Sequence, residues 1–99
     1  SSGVLALNER GELRTFNQAA SNILGVKLEN YVGLSLDKII AKQIRLEDFL
    51  NSIAMRSQAD MQQKETPQTQ IELASAQGKQ ILTVRGTRLP DGGYVAVFD

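Results

Sequence analysis

The sequence predicts an α+β fold, a five-stranded antiparallel sheet with short helices packed on one face. Three observations predict it: two short apolar segments joined by a glycine-containing turn open the chain, a stretch with helical spacing follows, and three segments with strand character close it. Strands in two blocks with helices between them are typical of an antiparallel sheet with segregated helices. We assign residues 1–99 to a single domain, because a chain of this length suits one hydrophobic core.

The first two strands are predicted on either side of a tight turn. Val4–Leu7 is apolar on both faces, which is typical of a central strand covered on both sides. Asn8–Gly11 supplies the glycine that a hairpin reversal needs. Leu13–Phe16 then returns as the second strand.

The helices are predicted between residues 17 and 60. Asn17 is a good N-cap for the first helix, and Gly25 is expected to end it in the left-handed conformation. Two brief helical turns follow within residues 26–44, the second capped by Ser35. The longest helix is predicted at about residues 45–60, where apolar residues recur at helical spacing behind acidic residues in the first turn.

The closing block begins after a polar stretch. Residues 62–69 contain Pro67, so we expect a loop there and not a continued helix. Two glycine-containing turns then separate three segments of strand character. These predicted strands are Gln70–Leu73, Ile81–Leu89 and Tyr94–Phe98.

Composition excludes several kinds of chemistry. Cysteine and histidine are both absent, and 11 basic residues balance 11 acidic ones. The chain therefore has no thiolate or imidazole to ligate a metal, to carry a chromophore or to shuttle protons, and no nucleophile or phosphate-binding motif occurs. We predict no catalytic residue and no metal site. Scattered, balanced charge argues against nucleic-acid binding, and no apolar run approaches the ~20 residues that cross a bilayer.

The order and spacing of three segments resemble a PAS domain. The segments are Gly3–Leu24, Tyr31–Leu36 and Gly78–Asp99. The last one ends Asp-Gly-Gly-Tyr-Val-Ala-Val-Phe-Asp and is most similar to PAS domains of bacterial membrane-bound sensor histidine kinases, particularly the nitrogen-regulation type. In that family the final strand typically runs into Asp-Ile-Thr and a signalling helix, so the resemblance implies that Asp99 is the signal-output joint of a domain excised from a longer chain.

The resemblance implies a regulatory sensor domain of a two-component histidine kinase, which transmits a signal through dimer rearrangement with or without a small ligand. The domain itself would be non-catalytic and cytoplasmic, in a parent protein that also carries the kinase domains and is anchored in the inner membrane. No cofactor is expected, since the composition excludes haem held by histidine and flavin or another chromophore linked to cysteine. The alternative is a freestanding ligand-binding or protein-interaction adaptor module.

One set of apolar residues is expected between the sheet and the helices. Its members are Leu5, Leu7, Phe16, Leu24, Leu36, Ile40, Phe49, Leu50, Ile53, Leu82, Val84 and Val97. These residues either line a cavity for a small ligand or form a packed core without voids.

The last strand carries apolar residues on both faces. Tyr94, Ala96 and Phe98 stand on one side, and Val95 and Val97 stand on the other. With helices on only one face of the sheet, we expect the aromatic side to be uncovered and to form a homodimer interface. Alternatively, the aromatic residues are single, partly exposed side chains of the kind that soluble proteins tolerate.

Three polar residues are open to two interpretations. Arg85 and Arg88 lie at odd spacing and so on opposite faces of one strand, where a guanidinium is suited to bind a carboxylate or phosphate of a ligand. We prefer the other interpretation, in which one of them lies in solvent or pairs with an acid such as Glu72. Asn17 is better explained as a helix cap than as a hydrogen-bonding group in a pocket.

Overall fold

The computed structural model describes residues 1–59 and 65–99. The strands are β1 (Gly3–Leu7), β2 (Leu13–Phe16), β3 (Glu65–Ser75), β4 (Gly78–Arg88) and β5 (Tyr94–Phe98). They form one antiparallel sheet in the order β2-β1-β5-β4-β3. The helices are α1 (Gln18–Leu24), α2 (Leu36–Lys42) and α3 (Glu47–Gln58), with 3-10 turns at Leu28–Tyr31 and Ile44–Leu46. The predicted α+β fold is confirmed.

Asn17 caps α1 and also fixes this helix to the sheet. Its Oδ1 accepts hydrogen bonds from the backbone N–H groups of Ala20 and Val4, each at 2.9 Å. Its Nδ2 donates to the carbonyl oxygen of Ser2 at 3.0 Å. At the other end, Gly25 has a φ of 71° and donates its N–H to Ser21, as a left-handed C-cap does.

Replacing Asn17 by alanine should lower the free energy of unfolding by about 2 kcal/mol, because the helix loses its cap and two further hydrogen bonds, to Val4 of β1 and to Ser2 just before it, are lost. Ser35→Ala is the matched control, since Ser35 caps α2 through a single 3.3 Å bond from the Lys38 N–H. That control should cost about 1 kcal/mol or less. Urea denaturation measures both values, and an equal cost for the two caps would contradict the double role of Asn17.

Several predicted boundaries change in the structure. The strand predicted at Ile81–Leu89 is β4, which begins at Gly78 and ends at Arg88. The longest helix, predicted at residues 45–60, begins at Glu47 because a 3-10 turn at Ile44–Leu46 precedes it, and its last helical residue is Gln58. The loop predicted at residues 62–69 is wrong from Glu65 onward, where β3 has already begun, and residues 62–64 lie outside the described residues.

Pro67 explains why the loop prediction fails. It lies at a shift of register between Thr66 and Thr69, and β3 is the edge strand of the sheet. Proline lacks an N–H but is tolerated at edges and bulges, where no ladder hydrogen bond is required. The proline therefore marks an irregularity within a strand and not a segment without one.

The last strand, β5, lies in the centre of the sheet between β1 and β4. Tyr94, Ala96 and Phe98 face the helices and are at most 2% exposed. Val95 and Val97 face away and are half-buried. The expected exposure of Tyr94, Ala96 and Phe98 is therefore wrong, and these residues offer no dimer interface. The same orientation removes Val97 from the predicted core.

Glycines in the neighbouring strands explain this orientation. Both faces of β5 are apolar, so alternation alone does not decide which one meets the helices. A Cβ built on Gly3 would lie 2.6 Å from Cε2 of Phe98, and one on Gly86 would lie 2.7 Å from Cε2 of Tyr94. Because only glycine leaves room for a ring at these positions, the face that carries both glycines is the one that holds the aromatic side chains.

Candidate functional site

The interior between the sheet and the helices holds nearly all of the predicted pocket residues. Except for Phe16 and Val97, every member of that set is buried in one cluster, and Phe16 packs against it. Phe49 of α3 and Phe98 of β5 meet edge to face at its centre, with ring centroids 4.9 Å apart. Such aromatic pairs stabilise a core beyond the effect of their buried area. The structure thus brings the predicted residues together as packed side chains.

A surface cleft of about 330 Å³ opens beside this core. Three segments distant in sequence form its walls: the turn between β1 and β2, the carboxyl end of α3, and the hairpin that joins β4 to β5. Leu7 and Tyr94, which are nearly inaccessible to solvent, lie at its base beside Arg88. We refer to this feature as the Arg88 cleft.

Arg88 holds the end of α3 against the sheet. Its Nη2 donates to the carbonyl oxygen of Ser57 in the last turn of the helix, and its Nη1 lies 3.4 Å from the carbonyl oxygen of Gly92. The guanidinium carbon is 5.9 Å from the centre of the Tyr94 ring, within the range of a cation–π interaction. A cation is favourable here because the carboxyl end of a helix carries partial negative charge.

The predicted separation of the two arginines is confirmed. Arg88 lies on the helix-facing side of β4, whereas Arg85 is exposed on the opposite side. The suggested pairing with Glu72 is not found, since Glu72 lies 3.7 Å from Lys79. Ser57 and Gln58 also line the cleft, and neither was among the predicted site residues. The signal available for the cleft was that Arg88 lies two residues after Gly86 and so shares its face of the strand.

The turn between β1 and β2 is held by a network of polar side chains. Asn8 accepts hydrogen bonds from the N–H groups of Arg10 and Glu12 through Oδ1 and donates from Nδ2 to the Glu12 carboxylate, each at 2.9 Å. Arg10 forms ion pairs with Glu9 at 2.9 Å and with Glu12 at 3.1 Å. The hydrogen bonds from Asn8 and then Arg10 lower the pKa of Glu12 below its ordinary value. Glu12 therefore remains ionised at neutral pH.

The side of the sheet that faces away from the helices carries an apolar patch. Val4 pairs with Val97, and Ala6 pairs with Val95, so these four side chains lie in two adjacent rows. We call Val4, Ala6, Val95 and Val97 the outer patch. The three valines are half-buried, and none of the four belongs to the cluster that packs against the helices.

The predicted output joint, Asp99, continues the pairing of β5 with β4. Its N–H donates to the carbonyl oxygen of Thr83 at 3.2 Å, and its carbonyl oxygen accepts from the Thr83 N–H at 2.8 Å. The Asp99 carboxylate accepts a hydrogen bond from the Ser2 hydroxyl at 3.0 Å. Asp99 is thus held to a neighbouring strand and to the beginning of β1.

Within the described ranges, no three acidic, histidine or cysteine side chains gather in a group that would hold a metal ion. No described helix combines the length and the apolar character needed to cross a membrane.

Comparison with protein families decides the identity of the fold. A family model described as "PAS fold" matches residues 1–99. The chain belongs to the PAS family. The resemblance found in the sequence is thereby confirmed at the level of the family, and as a PAS domain the chain is a sensory module and not a catalyst. None of the curated proteins compared with this PAS domain matches it in sequence.

Solved PAS structures share this arrangement. The PAS domain of the histidine kinase ThkA superposes with a TM-score of 0.66 at 15% identity, covering 100% of this chain and 99% of that one. A domain of a sensory box sensor histidine kinase/response regulator from Geobacter sulfurreducens gives 0.62 at 13% identity, covering 98% and 81%. The RpfR quorum-sensing receptor PAS domain from Cronobacter turicensis, in complex with C12:0, gives 0.57 at 11%, covering 98% and 90%.

Proposed function

We propose that this PAS domain is the regulatory sensor module of a two-component histidine kinase and that it transmits its signal through rearrangement of a homodimer. The family match and the sensor-kinase PAS domains among its structural neighbours support this assignment. In this proposal the domain is cytoplasmic, and the same chain carries the kinase domains and a membrane anchor. The nitrogen-regulation type remains the proposed subgroup, on the basis of the closing segment Gly78–Asp99.

The observation that carries the pairing proposal is the outer patch. Its side chains form adjacent rows in the centre of the sheet, on the face opposite the helices. Burial of apolar side chains against a second surface lowers the free energy of the system. In a dimer with two-fold symmetry, the same patch on each subunit packs against the other. We therefore move the proposed dimer interface from the buried residues Tyr94, Ala96 and Phe98 to the outer patch.

Replacing Val95 by glutamate should convert the dimer into a monomer, because two carboxylates would be brought together in an apolar interface without partners. Gln70→Glu is the matched control: it introduces the same carboxylate on the exposed edge strand β3. Light scattering coupled to size-exclusion chromatography measures the molecular mass of each variant. A wild-type monomer at about 100 μM, or a V95E variant that stays dimeric, would contradict pairing through the outer patch.

A small ligand is the second part of the signal proposed here. The RpfR domain was solved in complex with C12:0, so this fold accommodates a small molecule in at least one neighbour. The proposal includes no histidine-ligated haem and no flavin or other chromophore linked to cysteine, because the chain contains neither residue. Native mass spectrometry of the purified domain would reveal both the number of subunits and any retained small molecule.

A freestanding ligand-binding or adaptor module is the alternative within the same family. The full-length sequence separates the two: a histidine-containing helix and an ATP-binding kinase domain after Asp99 would favour the sensor kinase. In that protein, the rate of autophosphorylation should change in the V95E variant and stay unchanged in the Q70E control.

A further inference from the structure

The Arg88 cleft contains a guanidinium that has no carboxylate partner in the described part of the chain. The groups in contact with Arg88 are the carbonyl oxygens of Ser57 and Gly92 and the ring of Tyr94, none of which carries a formal negative charge. Its Nε is buried and has no hydrogen-bond partner among the described residues. Because the buried Nε is closed to solvent, the donors that Arg88 keeps for another acceptor are the second N–H groups of Nη1 and Nη2.

The remaining charges that line the cleft do not neutralise Arg88. Glu9 is the acidic residue in the described lining, and it lies 2.9 Å from Nη1 of Arg10 in an ion pair. Glu12, which lies outside the lining, also pairs with Arg10, so the acids of this region are held by Arg10 and the Arg88 guanidinium is left without an acidic partner of its own among the described residues. A single monoanion would balance its charge.

The cleft offers an apolar surface beside this charge. Its lining includes Leu7 and Tyr94, which are 1% and 2% exposed, so each presents only a small apolar area to the cleft. The volume of about 330 Å³ is near the lower end of small-molecule sites. A second cleft of about 150 Å³ lies beside it, between the end of α3 and the beginning of α2; it shares Leu7, Arg10 and Ser57 with the Arg88 cleft but is also lined by Asp37, so an anion is favoured at the Arg88 side. The site therefore suits a molecule with one negative charge and an apolar body.

We propose that the Arg88 cleft binds a small organic carboxylate, with the carboxylate group on the Arg88 guanidinium and the apolar part against Tyr94 and Leu7. Arginine matches a carboxylate through two parallel hydrogen bonds. An aromatic or aliphatic monocarboxylate fits better than free phosphate, which has no apolar part. The inference rests on the proposed sensory role in one respect, which is that the carboxylate would be the signal. Binding of the carboxylate to the Arg88 cleft requires neither a dimer nor a kinase domain.

Phenylacetate is the probe for this site, and phenylacetamide is its uncharged analogue. Titration of the ¹⁵N-labelled domain up to about 20 mM should move the backbone resonances of Ser57, Arg88 and Gly92 and the Nε–Hε resonance of Arg88. A dissociation constant on the order of 1 mM is expected for a ligand of about ten heavy atoms. Phenylacetamide and inorganic phosphate should bind at least about tenfold more weakly.

Arg88→Gln should weaken phenylacetate binding at least about tenfold, and Arg88→Lys should weaken it less because the charge is kept. Arg85→Gln is the matched control, since Arg85 lies on the same strand but on the opposite, exposed side. It should leave binding unchanged. The wild-type comparison of phenylacetate with phenylacetamide remains decisive if R88Q fails to fold.

Three results would overturn the proposal: no saturable shift with phenylacetate, equal binding of phenylacetamide, or equal binding by a folded R88Q variant. None of these three results tests whether the domain forms a dimer, because the molecular masses of the wild type and the V95E variant are measured without ligand. Conversely, a monomeric wild-type domain would remove the pairing proposal and leave this titration interpretable.

Discussion

Replacing Leu24 by aspartate should unfold the domain. Leu24 is the last residue of α1, is 0% exposed and belongs to the central core cluster. The substitution removes about 2–3 kcal/mol of apolar burial and places a carboxylate where it has no water. Because a small domain has a net stability of about 5–15 kcal/mol, these two costs together consume most or all of it.

Circular dichroism and thermal melting measure this effect directly. We expect the L24D variant to lack a cooperative transition at neutral pH. Gln70→Asp is the control, because Gln70 is exposed on the edge strand β3 and an added carboxylate there stays hydrated. Its melting temperature should change by no more than about 2 °C. Similar melting of both variants would mean that α1 does not close the core as described.

Replacing Gly86 by valine should destabilise the domain by about 3 kcal/mol or more, although the residue lies in a strand, where valine is normally favoured. The backbone of Gly86 lies under the ring of Tyr94, and a Cβ there would lie 2.7 Å from Cε2 and nearer still to Cζ and Oη. The ring and the new side chain cannot occupy the same space, so Tyr94 has to leave its position in the core.

Urea denaturation gives the loss of stability, and a double-mutant cycle identifies its cause. Tyr94→Leu removes the overlapping ring atoms, so Gly86→Val should cost at least about 1 kcal/mol less in that background than in the wild type. Thr87→Val is the control on the opposite face of β4 and should change stability by about 0.5 kcal/mol at most. A G86V variant as stable as T87V would refute the packing of Tyr94 over Gly86.

Local signals explain why most of the fold was predictable from the sequence. Asn17 and Gly25 act at the ends of α1 through contacts within a few residues, and the glycine-containing turns define the three hairpins in the same way. The opposite orientations of Arg85 and Arg88 follow from strand geometry alone. Such features depend on chain-neighbour interactions, which a sequence displays directly.

The failed predictions depend on contacts between distant segments. The sequence alone does not determine the orientation of β5, because both faces of the strand are apolar. One face carries Tyr94, Ala96 and Phe98, and the other carries Val95 and Val97. Gly3 and Gly86 resolve the question, but only when they are known to lie beside β5 in the sheet.

The Arg88 cleft was not predicted for the same reason. It joins a turn near residue 10, a helix end near residue 57 and a hairpin near residue 92, which no periodicity relates. Arg88 donates to the backbone carbonyl oxygens of Ser57 and Gly92. Because every residue has a backbone carbonyl, the residue types at these two positions do not indicate a contact with arginine. The sequence shows that β5 is apolar on both faces. Which of these faces contributes to the outer patch depends on the orientation of β5 in the sheet.

The central position of β5 has a mechanical consequence. Phe98 rests on α3 through Phe49, while the adjacent Val97 belongs to the outer patch. One peptide unit therefore separates the hydrophobic interior from the surface proposed for subunit association. A change in core packing that tilts β5 therefore moves the side chains of the interior and those of the outer patch together. It also moves Asp99, the residue that directly follows the strand.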